Sequence, residues 1–171
     1  MSVLKKSDFK EKKALGHGAF GQTYLIKNIQ SGQKLVWKKM VIMNEQERKM
    51  AQDEADMLNR IKNDFLVKYY GQFEEKNEFF ILMEYCDRGD LRQYINKLKN
   101  LEAVANEEKI WEYLSQTAEA LYSLHSINII HRDLKPENVF LTHNLQVKLG
   151  DLGMARTAQS TILRQTRIGG T

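Results

Sequence analysis

His131-Arg132-Asp133-Leu134-Lys135-Pro136-Glu137-Asn138, followed by Asp151-Leu152-Gly153, decides how the rest of this chain is read. The run sets an acid, a lysine, an amide and a second acid at fixed spacing. Asp133 can orient a hydroxyl. Lys135 can neutralise negative charge on a group in transit. Asn138 and Asp151 offer hard oxygen donors of the kind magnesium takes. Eight specified positions in one run carry far more information than a short glycine pattern.

The surrounding composition is ordinary for a globular chain, with 42% hydrophobic and 28% charged residues. A length of 171 residues suffices for one good core or two small ones. The net charge of +4 is a mild excess, which reads as a solvated surface rather than a nucleic-acid-binding face. The single cysteine, Cys86, has no partner for an internal disulfide and no metal-ligating neighbours, so a reducing compartment fits. Met1 to Lys13 carries five lysines and no apolar run, which predicts no signal peptide. No later stretch reaches membrane-spanning length. The expectation is a cytoplasmic protein, with the nucleus open, that binds neither nucleic acid nor membrane.

Working outward from the decisive run, the first third reads as strands. Phe9 to Leu15 leads into Gly16, Gln22 to Asn28 follows Gly21, and Lys34 to Met40 follows the Ser31-Gly32 turn. Glu45 to Lys62 reads as a helix, with Ala51, Ala55, Leu58 and Ile61 on one face. Two strands follow, Leu66 to Phe73 and Glu78 to Tyr85. After Gly89-Asp90 the pattern turns helical, first through Leu91, Tyr94, Ile95 and Leu98. A longer helix then runs through Ile110, Leu114, Ala118, Leu121 and Leu124. Short strand-like pieces carry the run at 131–138 and Val147-Lys148-Leu149. Strands first and helices later predict an α+β architecture of two lobes with a cleft. The division falls into a small lobe, 1–85, of antiparallel sheet with one helix, and an incomplete helical large lobe, 86–171.

Gly16-His17-Gly18-Ala19-Phe20-Gly21 has the form G-x-G-x-x-G. A dinucleotide-binding turn of that form needs a helix straight after it. Here Thr23-Tyr24-Leu25-Ile26 reads as a strand, so the glycines sit in a hairpin, where they let a backbone approach phosphate without Cβ contact. Strand alternation puts Val36 and Lys38 on one face and Trp37 on the other. Lys39, the neighbouring candidate cation, is turned away by the same alternation.

Taken together, these segments resemble the protein kinases. The likeness runs from about Phe9 to Thr171. The wording of Val36-Trp37-Lys38, Met83-Glu84-Tyr85-Cys86 with Gly89-Asp90-Leu91, Lys148-Leu149-Gly150-Asp151, and Ile130 to Phe140 is most similar to the NIMA-related (Nek) kinases. The resemblance implies ATP and Mg²⁺ as cofactors and a protein bearing a Ser or Thr hydroxyl as substrate. Lys135 is the mark of the serine/threonine class. By the same resemblance, Asp133 is the catalytic acid–base group, Lys135 steadies the transferring phosphoryl, and Asn138 and Asp151 hold the metal. Lys38 grips the phosphates and pairs with Glu54, which lies beside the apolar stripe. Gly16, Gly18, Gly21, Thr23, Val36, Met83 and Phe140 belong to the nucleotide site, with backbone groups of Glu84 and Cys86 at the adenine edge. Thr23 stands where the family usually has Val, and Leu152 where it usually has Phe. His131 is read as a core residue rather than a base, and Leu58, Tyr69, His131 and Leu152 would form an apolar spine.

No A-P-E motif follows Thr171, so the sequence reads as a kinase domain cut short after its activation segment. Two readings stand side by side. One is a serine/threonine kinase; the other is a catalytically incompetent module that holds a nucleotide or a partner protein over the missing large-lobe surface. The Nek likeness carries cytoskeletal, centrosomal or nuclear settings with it. Leu152 to Thr171 holds Arg156, Arg164 and Arg167 and no acid. A phosphate on Thr166, or on Thr161, is expected to pair with Arg132 and order that segment.

Overall fold

The computed structural model describes residues 4–18 and 21–157. They fall into two compact units. One comprises residues up to Lys62 together with Val67–Tyr85, and the other comprises Asn63–Leu66 and the residues from Cys86 onward. The acceptor sites expected at Thr161 and Thr166, together with Arg164, Arg167 and Thr171, lie outside the described residues.

The first unit is an antiparallel sheet of β1 (Phe9–Gly18), β2 (Gly21–Asn28), β3 (Lys34–Val41), β4 (Tyr69–Glu75) and β5 (Glu78–Glu84), in the order β1-β2-β3-β5-β4. Helix α1 (Glu45–Arg60) packs against β4 and β5. Its start is set by two side-chain bonds. Asn44 accepts from the Glu47 amide at 2.9 Å, and the Glu47 carboxylate accepts from the Met43 amide at 2.7 Å. Its buried face is Ala51, Ala55 and Leu58. The turn from β4 to β5 puts Lys76 and Asn77 at positive φ, the geometry a tight hairpin needs.

The other face of the sheet carries the main apolar core. Phe9, Ile26, Leu35, Trp37, Phe73, Phe80 and Leu82 form one buried cluster, and Leu4 and Tyr24 pack on it. The Phe73 and Phe80 rings stack at 4.6 Å, and Trp37 lies 4.9 Å from Phe80. A single 3-10 turn at Lys6–Asp8 covers this face. There Lys6 Nζ sits 2.7 Å from the Glu78 carboxylate and 5.4 Å from the Phe80 ring centre.

In the second unit, α2 (Leu91–Asn100) is capped by Asp90, which accepts from the Gln93 amide at 2.8 Å. Helix α3 (Glu107–Ser126) buries Tyr113, Ala120 and Leu124. Burial pushes the Tyr113 phenol up to about 12, with Tyr94 and Glu112 adding to it. Ile110 and Leu114 are 52% and 55% exposed and Ala118 is exposed too, whereas Leu121 is half-buried and Leu124 buried, so the stripe read from the sequence is covered only toward the end of the helix. Two small ladders complete the unit, β6 (Ile129–Ile130) with β9 (Arg156–Thr157) and β7 (Val139–Leu141) with β8 (Val147–Leu149). Among the described residues, no helix is long and apolar enough to cross a membrane.

Two sequence expectations are corrected. The strand placed from Leu66 begins at Tyr69 instead. Asn63 turns the chain by accepting from the Phe65 amide at 2.7 Å. Leu66 then forms a lone parallel bridge with Leu149, and the Phe65 carbonyl accepts from the Leu149 amide at 2.8 Å. The run 131–138 is not strand-like. Arg132 has φ +67°, Pro136 has no amide hydrogen to give a ladder, and Pro136–Asn138 forms a 3-10 turn.

The aromatic core makes a direct prediction. Phe80→Ala is expected to cost about 3–5 kcal/mol of unfolding free energy in urea, the range for emptying a buried aromatic site. Tyr122→Ala, on an exposed helix position, is expected to change it by less than about 0.5 kcal/mol.

Candidate active site

In the first unit, β3 pairs Thr23 with Lys38 and Leu25 with Val36 on one side, and Val36 with Met83 and Lys38 with Ile81 on the other. Directly opposed residues share a face, so Thr23, Val36, Lys38 and Met83 lie on one surface of the sheet. Trp37 lies on the opposite surface, in the aromatic core. Lys38 Nζ sits 2.7 and 2.9 Å from the two Glu54 carboxylate oxygens, with both side chains largely buried. Lys39 points to the other face. Its Nζ is 3.2 Å from Glu78 and 5.7 Å from the Tyr24 ring centre. The two adjacent lysines thus have separate carboxylate partners. Asp53 is exposed, and Asp56 accepts from Gln52 at 2.8 Å.

The glycine-rich turn joins β1 to β2, with Gly16 opposite Thr23 and Gly18 opposite Gly21. Ala19 and Phe20 lie outside the described residues. A Cβ on Gly16 would meet nothing within 4 Å, so the backbone there is open to an approaching group. Gly21 is required for a different reason. Its φ is +154°, and a Cβ would lie 2.5 Å from the Lys39 carbonyl oxygen, so only glycine lets β2 lie this close to β3. At the end of β5 the Glu84 amide donates to the Lys68 carbonyl at 2.9 Å, and Cys86 is buried.

The second unit gathers the decisive run. Asp133 Oδ2 accepts from Lys135 Nζ at 2.7 Å and from Asn138 Nδ2 at 2.9 Å. Asn138 Nδ2 also donates to the Asp133 carbonyl at 2.8 Å, and its own carbonyl accepts from the Gly150 amide at 3.0 Å. His131 is 2% exposed, and both its ring nitrogens are engaged. Nε2 is 2.9 Å from the Gly150 carbonyl, and Nδ1 faces the Asp133 amide at 3.3 Å. An Nε2–H tautomer satisfies both contacts, so the ring bridges the two segments. The sequence reading treated His131 as simple core packing; the structure shows it joining the Asp133 segment to the Gly150-Asp151 segment. Asp151 is exposed, with φ 55°. Leu152 is buried and starts a 3-10 turn. Leu58 is buried in α1 and Tyr69 is half-buried.

Lys135, aided by Asn138, holds the Asp133 carboxyl below the usual carboxylate range. The Asp133 carboxylate in turn raises Lys135. Arg92, 2.8 Å from Glu137, lowers that carboxyl as well and ties α2 to the turn that carries Asn138. Nothing in the sequence pattern singles out Arg92; one half-buried cation on a helix has no periodic signal. Phe140 is half-buried in β7, opposite Lys148, and forms a bridge with Asp90.

The donor set suits magnesium. Asn138 Nδ2 is turned toward Asp133, so Oδ1 is the atom of that amide that could meet a metal, and Asp151 is exposed. Magnesium usually takes one or two such protein oxygens and completes its shell with water and phosphate.

The stretch from residue 9 to residue 171 matches the family model described as the protein kinase domain, and the chain belongs to that family. It is similar to the probable serine/threonine-protein kinase nek2 of Dictyostelium discoideum, at 37% identity over 163 residues, covering 91% of this chain and 39% of that protein. It is also similar to serine/threonine-protein kinase Nek1 of Mus musculus, at 38% identity, covering 91% of this chain and 13% of the relative. Nek5 of Homo sapiens is 37% identical, covering 92% of this chain and 22% of the relative. The chain therefore spans well under half the length of each.

The charge arrangement predicts a pH effect. The folded pKa of Asp133 is depressed, so its stabilising contribution is present above the ordinary carboxylate pKa and is lost as pH falls through the lower folded value. Lys135→Ala is expected to move the Asp133 carboxyl midpoint upward, toward the usual range, in a ¹³C carboxyl NMR titration. An unmoved midpoint would take that role from Lys135.

Proposed function

We propose that this chain is the nucleotide-binding and catalytic part of a Nek-like serine/threonine protein kinase that uses Mg²⁺ and ATP to phosphorylate protein hydroxyls. The observation that carries this reading is the Asp133 carboxylate, held between Lys135 and Asn138 and linked through His131 to the Gly150-Asp151 segment.

In this reading Asp133 accepts the hydrogen bond of the acceptor hydroxyl and aims its oxygen at the γ-phosphorus. An aspartate is ionised throughout the neutral range and Lys135 holds Asp133 lower still, so the carboxylate is ready as an acceptor. The hydroxyl proton passes toward Asp133 as the new phosphorus–oxygen bond forms, and the bridging oxygen leaves on the diphosphate. Lys135 offsets charge on the phosphoryl oxygens. Asn138 and Asp151 would hold Mg²⁺, which when bound would supply charge neutralisation at the phosphates. Lys38, kept in place by Glu54, bonds phosphate oxygens. The open backbone at Gly16, together with Gly18 and Gly21, covers the phosphates. Thr23, Val36, Met83 and Phe140 pack on the base, and backbone groups of Glu84 and Cys86 bond its edge. The lone thiol supports a reducing, cytoplasmic compartment.

The test is transfer of labelled γ-phosphate from Mg·ATP to a serine/threonine substrate. Asp133→Asn is expected to leave nucleotide affinity nearly unchanged and to cut turnover by roughly 10²-fold or more. Lys38→Met is expected to abolish transfer, whereas Lys39→Met retains it. Near wild-type turnover in Asp133→Asn would remove that residue from its role. Nucleotide binding with no transfer in the wild type would favour a binding module instead.

A further inference from the structure

Helix α1 meets the sheet through unusually small side chains. Its buried stripe is Ala51, Ala55 and Leu58, and two of these three are methyl groups. Methyls permit close approach but interdigitate little, so packing alone fixes the roll of the helix about its axis only loosely. That roll decides whether Glu54 meets Lys38.

A row of polar contacts lies along the other edge of the stripe. Arg48 Nε and Nη2 grip the Glu74 carboxylate at 3.0 and 2.9 Å, and Arg48 Nη1 reaches Glu45 at 2.6 Å. One turn on, Gln52 Oε1 accepts from Gln72 Nε2 at 2.8 Å, and Gln52 Nε2 donates to Asp56 at 2.8 Å. Tyr69 Oη donates to Gln72 Oε1 at 3.1 Å. Arg48, Gln52 and Asp56 are successive i, i+4 positions on α1, and Gln72 and Glu74 are alternate positions on β4, so the contacts form one continuous seam. On a helical wheel Ala51, Ala55 and Leu58 fall roughly 40–100° round from Glu54, and Arg48 and Gln52 fall about 120–160° round. The apolar stripe is therefore bounded by a polar anchor on each side, Glu54–Lys38 at one edge and the seam at the other.

We propose that Gln72 and Gln52, with the Arg48–Glu74 pair beside them, are positioning residues that set the roll of α1 and thereby hold Glu54 on Lys38. The Gln52–Gln72 bond is the critical link. It is part-buried, so it is screened less than the Arg48–Glu74 contact, which is exposed. Its amides carry no net charge, so it holds a position without adding another buried ion. The Tyr69 phenol, raised further by burial and the nearby Asp56, is protonated across the physiological range and donates to Gln72.

The catalytic meaning of this device rests on the proposed role of Lys38, but its test does not need transfer to occur. The chain is pulse-labelled with acetic anhydride, and the rates at Lys38 and Lys39 are read by mass spectrometry. Glu54 keeps the Lys38 amine bonded and slow, and Lys39, with its separate partner Glu78, serves as the internal reference. Gln72→Leu keeps most of the volume and removes the hydrogen bonds. It is expected to speed Lys38 labelling by about tenfold, the scale of coupling between groups in one network, with Lys39 unchanged. Adding Gln72→Leu to Glu54→Gln is expected to give no further acceleration, because both act through the same contact. Gln52→Leu cuts the link from the helix side and is expected to match Gln72→Leu. Wild-type Lys38 labelling in both variants would overturn the proposal. So would acceleration that multiplies with that of Glu54→Gln. Equal acceleration of Lys38 and Lys39 in both variants would show general loosening and would also overturn it. Failure of the wild type to transfer phosphate would sink the kinase reading and leave these labelling outcomes as they are.

Discussion

The buried ion pair between Lys38 and Glu54 is the constraint on which the first unit depends. Two opposite charges are taken out of water there, with side chains only 10% and 13% exposed. Attraction between such charges roughly offsets their desolvation, so the pair adds little net stability. Losing one partner is different, because it strands a buried charge at a cost of about 3–5 kcal/mol. The pair therefore ties strand β3 to helix α1 far more firmly than its net contribution suggests.

That contact depends in turn on the opposite face of the sheet. Trp37 is locked against Phe80, Phe73 and Phe9, and a strand alternates its side chains. With Trp37 fixed in the aromatic core, Lys38 must face the other way and Lys39 must share the Trp37 side. A slip of one residue would put a charge into the aromatic cluster and an indole against α1. The second unit solves a related problem with hydrogen bonds instead of a core. Arg132 and Asp151 both hold positive φ, and the loops that contain them are short. His131 and Asn138 tie those loops together through Gly150 and the Asp133 backbone, and Lys135 and Asn138 hold the Asp133 carboxylate.

Much of this was legible in the residues because it is periodic. Alternation in Leu35 to Lys38 separated the two lysines, and the stripe of Ala51, Ala55 and Leu58 placed α1. The α+β order of elements followed from the same patterns. What escaped reading was set by single polar contacts or by tertiary context. Leu66 looks like the start of a strand, yet the turn made by Asn63 sends it to pair with Leu149. The run 131–138 is rich in apolar neighbours, but Pro136 and the left-handed Arg132 rule out a ladder. Along helix α3 Ile110 and Leu114 are exposed while Leu124 is buried, and periodicity alone does not say how far along the helix its apolar stripe is covered. Gln52 and Gln72 are indistinguishable in sequence from solvated surface amides. The cover that Leu4 and Lys6 give the aromatic core likewise has no local signal.

The most direct measurement on the claim that Lys38–Glu54 serves position rather than stability is urea unfolding of a Lys38→Met, Glu54→Leu double variant, run beside a phosphoryl-transfer assay. The expected result is an unfolding free energy equal to the wild type or higher by about 1–4 kcal/mol, as when a buried ion pair gives way to well-packed apolar groups, with transfer lost. A double variant that unfolds at markedly lower urea, or one that still transfers phosphate, would contradict it.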